Sequence, residues 1–155
     1  MLGPADLEAF LRRNGLRFQI VEVPAAATSE MASKSLGISK DKIAKSVLFV
    51  SEDNNVVLIV LRSDRRVDQS KLAKILGYKK LRLARDEEVL AYTGYPPGGV
   101  PPIGHLREIP VFLDVEVSTG EYWCGGGDDK HLLLLDFSEA SKLKNVAVIE
   151  VPKKQ

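Results

Sequence analysis

The sequence has 155 residues, a formal net charge of +1, 45% hydrophobic residues, one cysteine and two histidines. That length and apolar fraction suit one globular domain with its own core. A lone Cys124 excludes an intramolecular disulfide and a CxxC metal site, and no apolar run approaches the roughly 20 residues of a membrane-spanning helix. The start Met1-Leu2-Gly3-Pro4 lacks the basic-then-apolar profile of a signal peptide, so the cytoplasm is the expected location.

Pro4 to Arg13 is predicted as a first helix, with Leu7, Phe10 and Leu11 on one face and Gly15 placed to stop it. Arg17 to Val23 alternates around Phe18 and Ile20 as a strand. The small residues before Thr28 leave room, and Thr28 is suited to cap a helix ending near Gly37. Ile43 to Val50 reads as a strand with Lys45, Val47 and Phe49 on one face and Ser46, Leu48 and Val50 on the other. Lys45 then stands among apolar neighbours, unless its aliphatic stem carries the ammonium round to water. A turn over Glu52 to Asn55 leads into a strand from Val56 to Leu61, and this pair is expected at the centre of the core. Asp68 caps a helix that ends at Gly77, with Leu72, Ile75 and Leu76 inward and Lys71 and Lys74 elsewhere.

Leu81 and Leu83 mark a short strand. Asp86, Glu87 and Glu88 then open a helix, where carboxylates suit the macrodipole, and Thr93-Gly94 ends it. Further on, Val111 to Val117, Glu121 to Cys124 and Leu132 to Leu135 are predicted strands, Ser138 caps a last helix through Leu143, and Val146 to Val151 closes the sheet. Mixed strands with interspersed helices and several hairpins make the class α+β.

Ala91 to Gly104 reads A-Y-T-G-Y-P-P-G-G-V-P-P-I-G, with four glycines and four prolines in fourteen positions. The prolines fix φ and remove donors, while the glycines permit positive φ and close approach. Read alone, such a loop is a structural crossover or an anion cradle. In the second reading the N–H groups of Gly98, Gly99 and Val100, lying between two proline pairs, are the local donors free to face an oxyanion. Neither this stretch nor Gly125-Gly126-Gly127 is a nucleotide motif, because the first lacks a following Lys-Ser/Thr and the second leads into a strand.

Charge is unevenly distributed. From Arg62 to Arg85 nine basic residues face two acidic ones, whereas from Asp86 to Glu150 twelve acidic residues face four basic ones. The basic stretch is either a solvated helix face or a footprint for a phosphate backbone, and in a near-neutral chain the latter would bind RNA weakly. Cys124, in E-Y-W-C, reads as a small buried hydrophobe.

The run T-G-Y-P-P-G-G-V-P-P-I-G, preceded by I-A-K-S-V-L-F-V and S-D-R-R-V-D-Q-S-K-L-A-K-I-L-G, resembles the aminoacyl-tRNA deacylases of the YbaK and ProX type and the editing domain inserted in bacterial prolyl-tRNA synthetase. The resemblance extends from about Val23 to about Leu143. It implies a mixed, barrel-like sheet flanked by helices, and hydrolysis of the ester between a wrong, small amino acid (Ala, Ser or Cys) and a tRNA such as tRNA(Pro). Lys45 matches the family's important lysine and would contact the terminal phosphate or ribose. Gly98, Gly99 and Val100 would hold the carbonyl oxygen.

By the same resemblance, Ala26, Ala27, Thr28 and Met31 would line the amino-acid pocket, Thr93 and Gly104 would shape the loop, and His131 could face the site. Arg65, Arg66, Lys79 and Lys80 would meet RNA. No cofactor and no metal is expected, and the partners implied are the tRNA acceptor end and a synthetase, with neither membrane nor DNA. Pro101 stands where many relatives have serine, and Leu132 where the Cys-tRNA-hydrolysing branch has aspartate, so the amino acid handled stays open. The rival reading is a non-catalytic tRNA-binding or synthetase-associated module of the same fold.

Overall fold

In the computed structural model, which describes residues 1–155, the Glu52–Asn55 turn joins β2 (Ala44–Ser51) to β3 (Val56–Arg62) in an antiparallel hairpin. Val57 to Leu61 are buried to within 2%, as a run of apolar residues demands when both faces of a strand are covered. Around this pair lies a five-stranded sheet in the order β4-β2-β3-β5-β8, completed by β4 (Leu81–Leu83), β5 (Val111–Asp114) and β8 (Val146–Ile149). The β4 and β2 neighbours are antiparallel, whereas β5 and β8 run parallel to β3. A second, three-stranded antiparallel sheet has the order β1-β7-β6, built from β1 (Phe18–Glu22), β6 (Glu121–Gly125) and β7 (His131–Asp136). The mixed, helix-flanked α+β architecture is thus as expected, but the strands divide between two sheets that do not close into a barrel.

The larger core lies between these sheets. Leu48, Leu58, Val60 and Leu113 from one meet Cys124, Leu133 and Leu135 from the other, with Leu7 and Leu11 of α1 (Pro4–Arg13) packed alongside. The other face of the large sheet presents Phe49, Val57, Ile59 and Leu61 to Leu72 and Ala73 of α3 (Gln69–Leu76) and to Val151. A third small cluster, Val23, Ala26, Ala32, Ile43 and Leu132, lies under α2 (Ser29–Leu36). The caps follow the sequence: Thr28 Oγ1 accepts from Met31 N–H, Asp68 from Lys71 N–H, and Gly37 and Gly77 close their helices in the left-handed conformation.

Four local expectations need correction. The strand starting at Val111 stops at Asp114, and Val115–Val117 forms a 3₁₀ turn. There the fully buried Asp114 carboxylate accepts Val151 N–H at 3.0 Å and Lys153 Nζ at 2.9 Å, which draws the C-terminal segment across the sheet and ends β8 at Ile149 rather than Val151. The last helix, α5, covers only Phe137–Ala140: Asp136 in place of Ser138 takes the cap, accepting both the N–H and the hydroxyl of Ser138, and beyond Ala140 the chain tightens into turns with Lys142 N–H on Glu139 O and Leu143 N–H on Ala140 O. Ile75 is 58% exposed instead of buried, since it borders an open groove between α3 and the C-terminal segment.

Candidate functional site

The short β4 pairs only with Phe49–Ser51 of β2, so the first half of β2 has no ladder on that side of its sheet beyond a single bridge from Ile43 to Trp123 of β6. Ile43 to Leu48 thereby become one wall of a cleft of about 270 Å³. Ala26–Ser29 and Ala32 at the start of α2 form another wall, Leu83, Ala84 and Val89 a third, and Pro97, Gly98, Val100, Cys124, Gly125 and Leu132 the remainder. Lining by alanines and glycines leaves space for a small ligand only.

Lys45 lines this cleft and is half-buried. The two carboxylates whose charge it feels are committed elsewhere, Glu30 to Lys40 at 2.7 Å and Asp64 to Arg62 at 2.7 Å. Burial, and then the nearby positive charge of Arg66, hold its ammonium below the usual lysine range. The cation is therefore unpaired and partly desolvated, a state that an incoming anion would relieve. One strand position on, Ser46 Oγ is buried in the same wall with no hydrogen-bond partner.

α4 (Asp86–Thr93) delivers the chain into the Gly/Pro loop. Thr93 is fully buried and its hydroxyl donates to Val89 O, while Leu106 N–H bonds Thr93 O. Gly104 takes φ +82°, and a Cβ there would lie 2.9 Å from the Phe10 ring. Both residues shape the loop and neither lines the cleft. Within the loop, Gly99 N–H closes a turn onto Pro96 O at 3.0 Å and Gly99 O accepts from Gly127 N–H at 2.9 Å. The expectation that Gly99 N–H is free is thus corrected. Gly98 and Val100 are the loop residues that line the cleft with N–H groups unused by the protein.

His105 braces the far side, its Nε2 2.7 Å from the carbonyl of the buried Pro101. Burial pushes the imidazole down to about 4 against the smaller opposing effect of that bond, so it is neutral near pH 7 and Nε2 carries the donated hydrogen. The folded value lies below the unfolded one of about 6.5. Stability from this group is complete above that value and is lost as pH falls towards 4, by on the order of 3 kcal/mol. His105→Gln should flatten the pH dependence of urea unfolding between pH 6.5 and 4; an unchanged slope would exclude His105 as its source.

The other expected site residues divide. Ala26, Ala27 and Thr28 line the cleft, as does Leu132. Met31 is 44% exposed and lies outside it, Pro101 is buried behind the loop, and His131 turns its Nδ1 to Asp128 Oδ1 at 2.7 Å without lining the cleft. Cys124 Sγ is 3.4 Å from Leu133 O, and burial pushes its thiol up, which leaves it inert. No three His, Cys, Asp or Glu side chains come together as a metal site would require, and no helix is long and apolar enough to cross a membrane.

The basic stretch is more neutral than its composition. Arg62 and Arg65 both pair with Glu116, and Arg82 and Arg85 with Glu88. Arg66 keeps an unpaired side chain, as do Lys79 and Lys80, whose backbone N–H groups bond Glu52. Sequence reasoning missed Ser46, which lies in the I-A-K-S-V-L-F-V run but alternates to the strand face opposite Lys45, and the Leu83–Val89 wall, which only the shortness of β4 brings into place.

A proline–tRNA ligase of Nitratidesulfovibrio vulgaris (strain DP4) is 39% identical over 114 residues, 72% of this chain and 20% of the ligase, so the chain spans about a fifth of that relative's length. The uncharacterized protein YwhH of Bacillus subtilis (strain 168) is 39% identical over 93 residues, 60% of this chain and 59% of YwhH. Two solved structures share the fold. Hypothetical protein APE2540 has a TM-score of 0.87 at 27% identity, covering 96% of this chain and 99% of that one. A candidate trans-editing enzyme for prolyl tRNA synthetase has a TM-score of 0.83 at 29% identity, covering 98% and 97%. Residues 23–143, which include every wall of the cleft, match the aminoacyl-tRNA editing domain, and it is to this family that the chain belongs.

Proposed function

We propose that the chain deacylates mischarged tRNA in trans, hydrolysing the ester between a small amino acid and the terminal ribose of tRNA(Pro) or a similar tRNA. The observation that carries the reading is the joint presence, in one small cleft, of the unpaired Lys45 ammonium and the two unused N–H groups of Gly98 and Val100. Water adds to the acyl carbon, the tetrahedral oxyanion is held by the two N–H groups, the bond to the ribose oxygen breaks, and that oxygen leaves with a proton. Each well-placed donor contributes about 3 to 4 kcal/mol to such a step. Lys45 contacts the terminal phosphate or ribose and orients the ester. A protein described as a candidate trans-editing enzyme for prolyl tRNA synthetase supports the choice of reaction, and the proline–tRNA ligases support that of tRNA and a synthetase as partners.

The amino acid is small, with alanine or serine preferred to cysteine. Ala26, Ala27 and Ala32 bound the cleft by size, Leu132 offers a thiol no polar partner, and Ser46 Oγ offers a hydroxyl one. Size alone discriminates by roughly 10 to 200-fold per methylene. Parallel single-turnover rates on Ala-, Ser-, Cys- and Pro-charged tRNA test the ranking. Cysteine released fastest would overturn it, and no release from any of the four would remove the deacylase reading in favour of a tRNA-binding module without turnover.

A further inference from the structure

The C-terminal segment makes a surface that the editing cleft itself does not use. The buried Asp114 carboxylate anchors it through Val151 N–H and Lys153 Nζ, and backbone bonds from Asp68 N–H to Pro152 O (2.9 Å) and from Lys154 N–H to Arg66 O (2.8 Å) lay it along the start of α3. Between the segment and the helix runs a groove of about 580 Å³, lined by Lys71, Lys74, Ile75, Glu150, Pro152 and Lys153. Lys71 and Lys74 stand one turn apart on one face of α3. Arg66, Lys71, Lys74 and Lys154 have no carboxylate within ion-pair distance, in contrast to the paired Arg62, Arg65, Arg82 and Arg85. Glu150 is the single acidic residue in the groove. At one end of this surface stands Arg66, the same residue whose charge acts on Lys45 in the cleft.

We infer that the groove between α3 and the C-terminal segment carries the phosphate backbone of an RNA acceptor duplex, with Arg66 leading its strand end from Lys71, Lys74 and Lys154 to Lys45. The inference rests on the tRNA reading given above and fixes the path of the nucleic acid. Lys71 and Lys74 in the groove, with Arg66 and Lys154 flanking it, outnumber the Glu150 carboxylate and suit a polyanion, and a lone exposed Ile75 gives too little apolar area for a stable protein interface. Such contacts ignore base identity, so any tRNA-like acceptor stem is accepted and selection falls to the cleft.

The test is binding of an uncharged, fluorescently labelled hairpin minihelix ending in single-stranded CCA, read by anisotropy from low to physiological salt. The double variant Lys71→Glu/Lys74→Glu should weaken binding by at least about 10-fold at low salt and lower the slope of log K against log salt by about 2. Lys79→Glu/Lys80→Glu, beyond Gly77 at the other end of α3, should have the smaller effect. Equal binding by the wild type and the Lys71/Lys74 variant would overturn the inference, as would a larger loss from Lys79/Lys80, or unchanged minihelix binding with lost capture of prolyl-tRNA synthetase. Because the minihelix carries no ester, the two readings fail separately: a chain that binds it through Lys71 and Lys74 without hydrolysing charged tRNA refutes only the deacylase, and a deacylase whose binding ignores them refutes only the path.

Discussion

Lys45→Ala should slow single-turnover deacylation of Ala- or Ser-charged tRNA by about 100-fold or more and leave the folded protein at least as stable. Two physical effects set these directions. The ammonium is an unpaired cation on the wall of the cleft, where a partly buried charge acts on phosphate or developing negative charge more strongly than it would in water. The depressed pKa also means that burying this charge costs stability, so truncating it relieves a strain while removing no ion pair. Thermal unfolding and the rate are measured together. A folded variant that keeps turnover within about threefold of wild type would remove Lys45 from the chemistry.

Gly125→Ala should be the most damaging single methyl group in the molecule. A Cβ at that position would lie 2.0 Å from Val100 O and 2.6 Å from Val100 C, both backbone atoms. The loop cannot simply move aside, because Gly127 N–H holds Gly99 O before Val100 and His105 holds Pro101 O after it. Destabilisation of about 1 to 3 kcal/mol is expected from overpacking. The rate should fall by a further 10- to 100-fold or so as the Val100 N–H turns away from the oxyanion. Gly120→Ala is the control: its φ is +86° but nothing lies within 4 Å of the new methyl group, so it should cost about 1 kcal/mol and no rate. Equal behaviour of the two variants, compared by urea unfolding and single-turnover kinetics, would show that the loop is not held as the structure indicates.

The fold was legible where the rules are local. Thr28, Asp68, Gly37 and Gly77 mark helix ends through their own side chains or their lack of one, and the β2–β3 hairpin announces itself by a turn between two apolar runs. Legibility failed where a distant residue decides. Val115 to Val117 have the composition of a strand, yet Asp114 ends β5 by binding a segment 37 residues away in sequence. The division into two sheets depends on which strands pair, something periodicity does not encode. At the site, the resemblance located Lys45 and the Gly/Pro loop, but which N–H groups are free depended on the Pro96 carbonyl, which accepts that of Gly99. His131 adjoins a cleft residue in sequence and faces Asp128 instead. Ser46 is one of several serines until burial without a partner singles it out.

The strand order also governs how the cleft can come into being. Hairpin closure of β2 on β3 is local and belongs to the microsecond events of folding, whereas pairing Leu58 with Val111, and then Val111 with Val146, requires long segments to return in parallel. Loop entropy grows only with the logarithm of length, so the expense of this topology falls on folding time more than on final stability. The cleft draws its walls from residues as far apart as Ala26 and Leu132. An early hairpin is therefore expected to expose Lys45 on a bare strand before Gly98, Val100 and Leu132 arrive around it, so that the cleft is completed only as the long-range pairings form.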